Sequence, residues 1–207
     1  MMTSRTTLMM IPPDNSNQNP FHIFRQWYLE AVDSDISDPT IMSLATVGTD
    51  GKPSVRIVLL KEFDERGFVF YTNYMSRKSR QLEKNPWGAL VIHWHRIGHQ
   101  VRIEGRIDKT TEGESDKYFS TRPRGHQLGA WASDQSQVVD SRESLDEALR
   151  MRESEFEGKD IQRPPSWGGY RLEPDHIEFW VSRDDRMHDR ILFERSGDSW
   201  KMTRLAP

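Results

Sequence analysis

The sequence contains no cysteine, which removes disulfides, thiolate metal sites and thiol nucleophiles together. It also lacks a basic excess: 29 Lys and Arg stand against 32 Asp and Glu, a formal net charge of −3. No general nucleic-acid footprint is expected, and any anion site must be local. No apolar run approaches the roughly 18 residues of a membrane span, and the opening "MMTSRTTLMMIPPDNSNQNP" has no apolar core of signal-peptide length, so the expectation is a soluble cytoplasmic protein. The GxGxxG, Walker and GxSxG patterns are absent too, which takes away the common nucleotide and hydrolase fingerprints.

What is present is patterning in a chain of 207 residues, long enough for one domain with a real core. Residues 1–19 are rich in Thr, Ser, Asn and Pro without periodicity and read as a flexible arm, leaving 20–207 as a single domain. Asn19-Pro20 is a helix start, and Phe21, Phe24, Tyr28 and Ala31 recur at helical spacing to about Ser34. "TIMSLATVGTDGKPSVRIVLLKEFDERGFVFYTN" predicts three strands in an antiparallel meander, broken at "TDGK" and "DERG". Ser76 is placed to cap a short helix ending before Pro86. A hairpin follows in "GALVIHWH" and "HQVRIEGRID", and helical spacing returns in "TEGESDKYFSTR" and "SRESLDEALRMRESEFEG". The last third reads strand, turn, strand, turn, strand. Short antiparallel strands with helices between them imply an α+β protein built on a closed or nearly closed barrel.

Three stretches carry cations in suggestive places. In "SRDDRMHDR" (182–190), a strand restarting near Arg186 would put Arg186, His188 and Arg190 on one face. The same residues also read as a polar hairpin whose arginines pair with Asp184, Asp185 and Asp189. In "SRKSRQ", Arg77 and Lys78 occupy a helix's first turn, where the dipole disfavours cations and favours an anion. In "RIVLLK", Arg56 and Lys61 lie on opposite faces of a regular strand, so one small ligand could not use both without a bulge or a second subunit. Tyr118, Arg122, Gln135 and Ser136 add polar groups among aromatics. His93 and His95 flank Trp94 without a nearby carboxylate, which is poor metal chemistry, and no metal is expected. The tryptophans, Trp87, Trp131 and Trp167 among them, read as core, although Trp180 lies beside the Arg186–Arg190 row.

Taken in order, "RIVLLK", "GFVFYTN", "SRK", "QVRIEG", "YFSTRPR", "LGAWAS", "QS", "WGGYRL", "IEFW", "RMHDR" and the closing "W" to "RLAP" resemble the pyridoxamine (pyridoxine) 5'-phosphate oxidases, from about Asn19 to Pro207. The resemblance implies a mostly antiparallel split β-barrel with peripheral helices, assembled as a homodimer with FMN at the subunit interface. It implies that Arg56, Lys61, Tyr71, Thr72, Arg77, Lys78, Gln100, Gln135, Ser136, Trp180 and Arg190 hold FMN, partly from the other subunit. Lys61, Tyr118, Arg122 and His126 would meet the substrate phosphate, and Arg186 and His188 would lie over the substrate ring as the catalytic pair.

The implied reaction oxidises pyridoxamine or pyridoxine 5'-phosphate to pyridoxal 5'-phosphate with dioxygen, releasing hydrogen peroxide. The sequence departs from the family at three points. No Arg-x-x-Tyr motif is found in the arm, His126 stands where a serine is usual, and His99 where an arginine is usual. Two other functions remain open at this level. One is a flavin oxidase acting on a different ring, such as a dihydrophenazine. The other is a split-barrel module that binds FMN or pyridoxal phosphate without turnover.

Overall fold

The structure is a computed structural model that describes residues 19–207; the arm expected over 1–19 falls, but for Asn19, outside the described residues. The chain divides into two compact units. Among the described residues, one takes 19–39, Val91–Ile103 and Asp175–Pro207, and the other Thr40–Leu90 and Glu104–Pro174. Among the described residues no helix is long and apolar enough to cross a membrane.

In the first unit, helix α1 (Pro20–Asp33) starts where Asn19 accepts a hydrogen bond from the Phe21 N–H. Proline at the first helical position needs no such partner, so the two residues together define the helix start. Phe21, Ile23, Phe24, Trp27 and Ala31 form its buried face, while Tyr28 is only half-buried. Trp27 stacks on His99 at 4.0 Å and meets Phe179 edge-on at 5.0 Å. Phe179 lies on β7 (Trp167–Val181), whose second half pairs antiparallel with β8 (Asp189–Ser196). The β8 strand in turn pairs with β9 (Ser199–Leu205).

In the second unit, β1 (Ile41–Val47) pairs with β2 (Pro53–Leu59), and β3 (Glu62–Asp64) pairs with β4 (Gly67–Asn73), all antiparallel. The β4 strand also takes the first half of β7, with Tyr71 opposite Gly169 and Thr72 opposite Gly168. The expected three-strand meander is therefore two separate hairpins with four strands. Leu60 and Lys61 break the pairing, and Lys61 donates its N–H to Val69 instead. Strands β5 (Trp87–Trp94) and β6 (His99–Lys109) form the predicted hairpin, and the unit boundary falls inside both.

Four helices follow: α2 (Arg77–Lys84), α3 (Glu112–Thr121), α4 (Arg124–Ala132) and α5 (Arg142–Glu155). The α4 helix has no counterpart in the sequence reading, because its two glycines and single buried residue, Leu128, leave little apolar periodicity. Leu128 joins Phe119, Ile161 and Trp167 in a core cluster against which Tyr71, Tyr118 and Trp131 pack. Trp87 departs from its expected core place: it is 50% exposed. The α+β architecture, antiparallel sheet and peripheral helices agree with the sequence.

Candidate functional site

A cavity of about 620 Å³ opens in the second unit, lined by seventeen residues that include Lys61, Tyr71, Thr72, Lys78, Tyr118, Arg122, His126 and Gln135. These eight were all singled out in the sequence. Asn73, Ser133 and Trp167 line it as well, and sequence reasoning gave them no role, because a buried tryptophan in "WGGY" looks like core packing alone. No aspartate or glutamate lines the cavity, although acids outnumber bases in the chain as a whole.

Each wall has a local cause. Tyr71, Tyr118 and Trp167 stack nearly parallel, with Tyr71–Tyr118 centroids at 4.0 Å and Tyr71–Trp167 at 5.5 Å. Gly169 permits this: a Cβ there would stand 2.8 Å from the Tyr71 ring. Burial raises both the Tyr71 and Tyr118 hydroxyls, and holds Tyr71 well above the usual phenol range with help from the Glu62 and Glu114 charges, so both remain neutral donors. The Arg122 guanidinium lies 4.5 Å from the Trp167 ring centroid, a cation–π placement. Its Nη1 is buried without a hydrogen-bond partner among the described residues.

Lys78 sits in the first turn of α2, as the sequence placed it, but its side chain is buried. Its Nζ donates to Thr72 Oγ1 at 2.9 Å, Gln135 Oε1 at 2.9 Å and Ser76 Oγ at 3.2 Å. Ser76 is the N-cap residue, yet its hydroxyl makes no capping bond and serves the lysine instead. With neutral partners only, burial and then the Arg56 charge lower the ammonium to about 8. A buried cation without a counter-ion is costly, and an arriving anion relieves that cost.

Arg56 and Lys61 are separated, as their spacing suggested, though for a different reason. The β2 strand ends at Leu59, so Lys61 belongs to the next segment and lines the cavity. Arg56 is not among the lining residues. It donates to the Leu44 carbonyl, Thr46 Oγ1 and Ser54 Oγ at 3.0, 2.7 and 2.6 Å. Arg77 is exposed at the start of α2, and Ser136 lies in the loop between α4 and α5 with φ at +71°.

The remaining candidates belong to the first unit. Arg190 makes a two-bond pair with the buried Glu178 carboxylate at 2.7 and 3.1 Å, so its charge is already matched. Gln100 is the second residue of β6, next to His99. His188 packs against Trp180 at 4.5 Å, and its Nδ1 accepts the Arg183 N–H at 3.1 Å, which leaves Nε2 as the N–H of the neutral ring. The expected strand restart at Arg186 does not occur. Residues 184–186 form a 3-10 turn in which Arg186 has φ at +59°, and β8 begins at Asp189. Alternation therefore does not align Arg186 with His188 and Arg190; the turn presents it instead. The pairing of that stretch with aspartate is real but involves Arg183 and Asp189, at 2.7 Å. Among the described residues no group of three or more His, Asp or Glu is placed to hold a metal ion.

Comparison with known proteins gives consistent matches. Residues 28–180 match the family model described as pyridoxamine 5'-phosphate oxidase. Residues 167–207 match that described as the pyridoxine 5'-phosphate oxidase C-terminal dimerisation region. A pyridoxine/pyridoxamine 5'-phosphate oxidase of Rubrobacter xylanophilus is 53% identical over 94% of this chain and 89% of its own. One of Burkholderia lata is 54% identical over 91% and 89%. Among solved structures, PhzG from Burkholderia lata 383, in complex with tetrahydrophenazine-1-carboxylic acid, superimposes with TM-score 0.88 at 33% identity, covering 94% of this chain and 95% of that one. An FMN-binding protein of Nostoc punctiforme, at 17% identity, covers 93% of this chain and 100% of that one with TM-score 0.72, a likeness of fold.

Proposed function

Because the chain belongs to the pyridoxamine 5'-phosphate oxidase family, we propose that it is an FMN-dependent oxidase. Its reaction converts pyridoxamine or pyridoxine 5'-phosphate to pyridoxal 5'-phosphate, with dioxygen as acceptor and hydrogen peroxide as co-product. The observation that carries this reading is the cavity's charge. Lys61, Lys78 and Arg122 line it with no carboxylate to match them, and Arg122 Nη1 is buried without a partner. Two phosphorylated ligands, a cofactor and a substrate, supply the missing anions.

The donor set suits FMN. Lys78, Thr72 and Gln135 offer a preformed cluster for its phosphate; Arg77 is the next residue along α2, the Arg56 charge is felt at Lys78, and Tyr71 adds a neutral hydroxyl. Gln100, Ser136, Trp180 and Arg190 complete the set in a homodimer with FMN at the subunit interface, an assembly supported by the match of 167–207 to a dimerisation region. Held by these residues, FMN would supply the redox chemistry, hydride acceptance and reoxidation by dioxygen.

This chain's residues bind and orient. Lys61, Tyr118, Arg122 and His126 hold the substrate phosphate through charge-assisted hydrogen bonds. Arg186 and His188 face the ring; His188, its Nδ1 occupied by the Arg183 N–H, offers Nε2 to polarise the reacting substituent. With the amine substrate, loss of a hydride and a proton from the CH–NH2 group leaves an imine. Water then converts it to the aldehyde and ammonia. With the alcohol substrate the aldehyde forms directly.

The likeness to PhzG favours a second reading, oxidation of a reduced phenazine. The phosphate-matching charges of the cavity argue against it, since a tricyclic carboxylate needs fewer cations. Purified protein carrying flavin absorbance, supplied with each B6 phosphate and separately with a dihydrophenazine, decides between them. Aldehyde and peroxide from the former support the proposal. Oxidation of the phenazine alone overturns it.

A further inference from the structure

On β7, Ile177 and Phe179 turn into the core and are buried, so alternation sends Glu178 and Trp180 to the opposite face of the sheet. Arg190 stands opposite Trp180 in the β7–β8 register and shares that face. On the neighbouring β6, Val101 and Ile103 are core residues, which places Gln100 and Arg102 there as well. Gln100, Trp180 and Arg190 belong to the proposed flavin set, whereas Glu178 and Arg102 have no role in it.

Although it faces away from the core, Glu178 is only 6% exposed, with two guanidinium groups against it. Arg190 donates from Nε at 2.7 Å and from Nη2 at 3.1 Å. Arg102 Nη1 donates at 3.1 Å from the β6 side. A further bond runs from Arg190 Nη1 to the Ala206 carbonyl at 3.1 Å. The Arg190 guanidinium is thereby fixed in its plane, with one N–H left on each terminal nitrogen.

A buried ion pair adds little net stability, so the arrangement is better explained by what it does to Arg190. Lys61, Lys78 and Arg122 line a cavity without a carboxylate and suit a phosphate. Arg190 is already matched by Glu178 and suits an uncharged acceptor, such as the ring edge of an oxidised flavin.

We propose that Glu178 is a positioning residue for the cofactor: it aims the remaining N–H groups of Arg190 and, by matching that charge, keeps the potential of the bound flavin low. This rests on the reading of the protein as an FMN oxidase. A reduced flavin carries a negative charge on its ring at neutral pH, and an unmatched cation beside it favours the reduced form.

The test compares wild type with Glu178→Gln, titrating the flavin-free protein with oxidised FMN and measuring the midpoint potential of the flavin-loaded protein against a reference dye. The variant should bind oxidised FMN about tenfold more weakly, the weight of one misplaced charge-assisted hydrogen bond. Reduced FMN, with the unmatched cation in its favour, should bind about as before, so the potential should rise by about 30 mV, the two-electron equivalent of that tenfold ratio. Glu178→Asp, which keeps the charge, should stay near the wild-type potential. Arg102→Gln removes a cation from the same carboxylate and should lower the potential, with the ratio of affinities changed about twofold in the opposite sense; it carries the test if Glu178→Gln does not fold.

An unchanged potential in Glu178→Gln or in Arg102→Gln overturns the proposal, as does equal weakening of oxidised and reduced FMN, which would leave Glu178 a merely structural residue. Normal oxidation of a B6 phosphate with no such shift removes the role of Glu178 and leaves the functional reading standing. The expected shift without oxidation of either B6 phosphate does the reverse. Protein that takes up no flavin overturns both.

Discussion

Lys78 Nζ donates to the Gln135 side-chain oxygen at 2.9 Å, joining α2 to the loop after α4 through an ammonium whose hydrogen-bond partners among the described residues are all neutral oxygens. Such a cation is held ready for an anion rather than used to stabilise the chain. Lys78→Met should therefore weaken FMN binding by about 10- to 100-fold, the loss of a charge-assisted hydrogen bond, while leaving the thermal stability of the flavin-free protein unchanged or higher.

The same lysine sets a pH limit. Because burial lowers it to about 8, the flavin-free protein loses this charge as pH rises through that value, and a bound phosphate holds the proton on. Flavin affinity of the wild type should fall above pH 8, and Lys78→Met should lack that component. Fluorescence titration of free flavin measures both; identical pH profiles would contradict the role given to Lys78.

Arg122 is the parallel case on the substrate side. Since its Nη1 is already without a partner, Arg122→Met should raise KM for pyridoxamine 5'-phosphate by about 10- to 100-fold and leave flavin content intact. A variant with unchanged KM would show that the phosphate lies elsewhere.

In the first unit, His99 is fully buried against Trp27, with neither ring nitrogen hydrogen-bonded among the described residues. Burial, and then the Arg183 charge, lower it from 6.5 to about 4. In the unfolded chain it takes a proton near 6.5 and in the folded one only near 4, so stability is lost as pH falls between these values and no further below them. Glu30, 3.8 Å away and raised by burial, works in the opposite sense at the acid end. His99→Gln should show a shallower loss of stability from pH 6.5 to 4 in denaturant titrations. An unchanged slope would mean that His99 is protonated when folded.

Much of this was legible because local chemistry and tertiary structure agree. Asn19-Pro20 starts a helix wherever the chain lies, and alternation in "GFVFYTN" survives as β4. The eight cavity residues read from the sequence converge because strands, helices and loop are held by Phe119, Leu128 and Trp167. Other features depend on long-range pairing that no local pattern reports. β4 takes β7 as its neighbour, a partner about a hundred residues away, so the meander was wrong. Arg186 departs from strand alternation because residues 184–186 turn first, with Asp185 and Arg186 both at positive φ. The α4 helix is nearly silent in sequence because it buries one residue.

That turn supplies a further prediction. Arg186→Ala and His188→Ala should each lower kcat at least about 100-fold, the usual weight of a positioned polarising or proton-handling group, with flavin content and the KM for oxygen unchanged. His188→Ala also removes the acceptor of the Arg183 N–H, so Arg186→Ala is the cleaner of the two. Normal turnover in that variant would place the ring chemistry elsewhere.

The central claim is that a carboxylate-free, cation-lined cavity selects a phosphorylated ring for oxidation. It is tested most directly by comparing pyridoxamine 5'-phosphate with pyridoxamine in one assay that follows aldehyde and peroxide together. The account predicts equimolar aldehyde and peroxide from the phosphate ester and a kcat/KM for pyridoxamine lower by at least about 100-fold. Equal rates for the two, or flavin-loaded protein that oxidises neither, would contradict it.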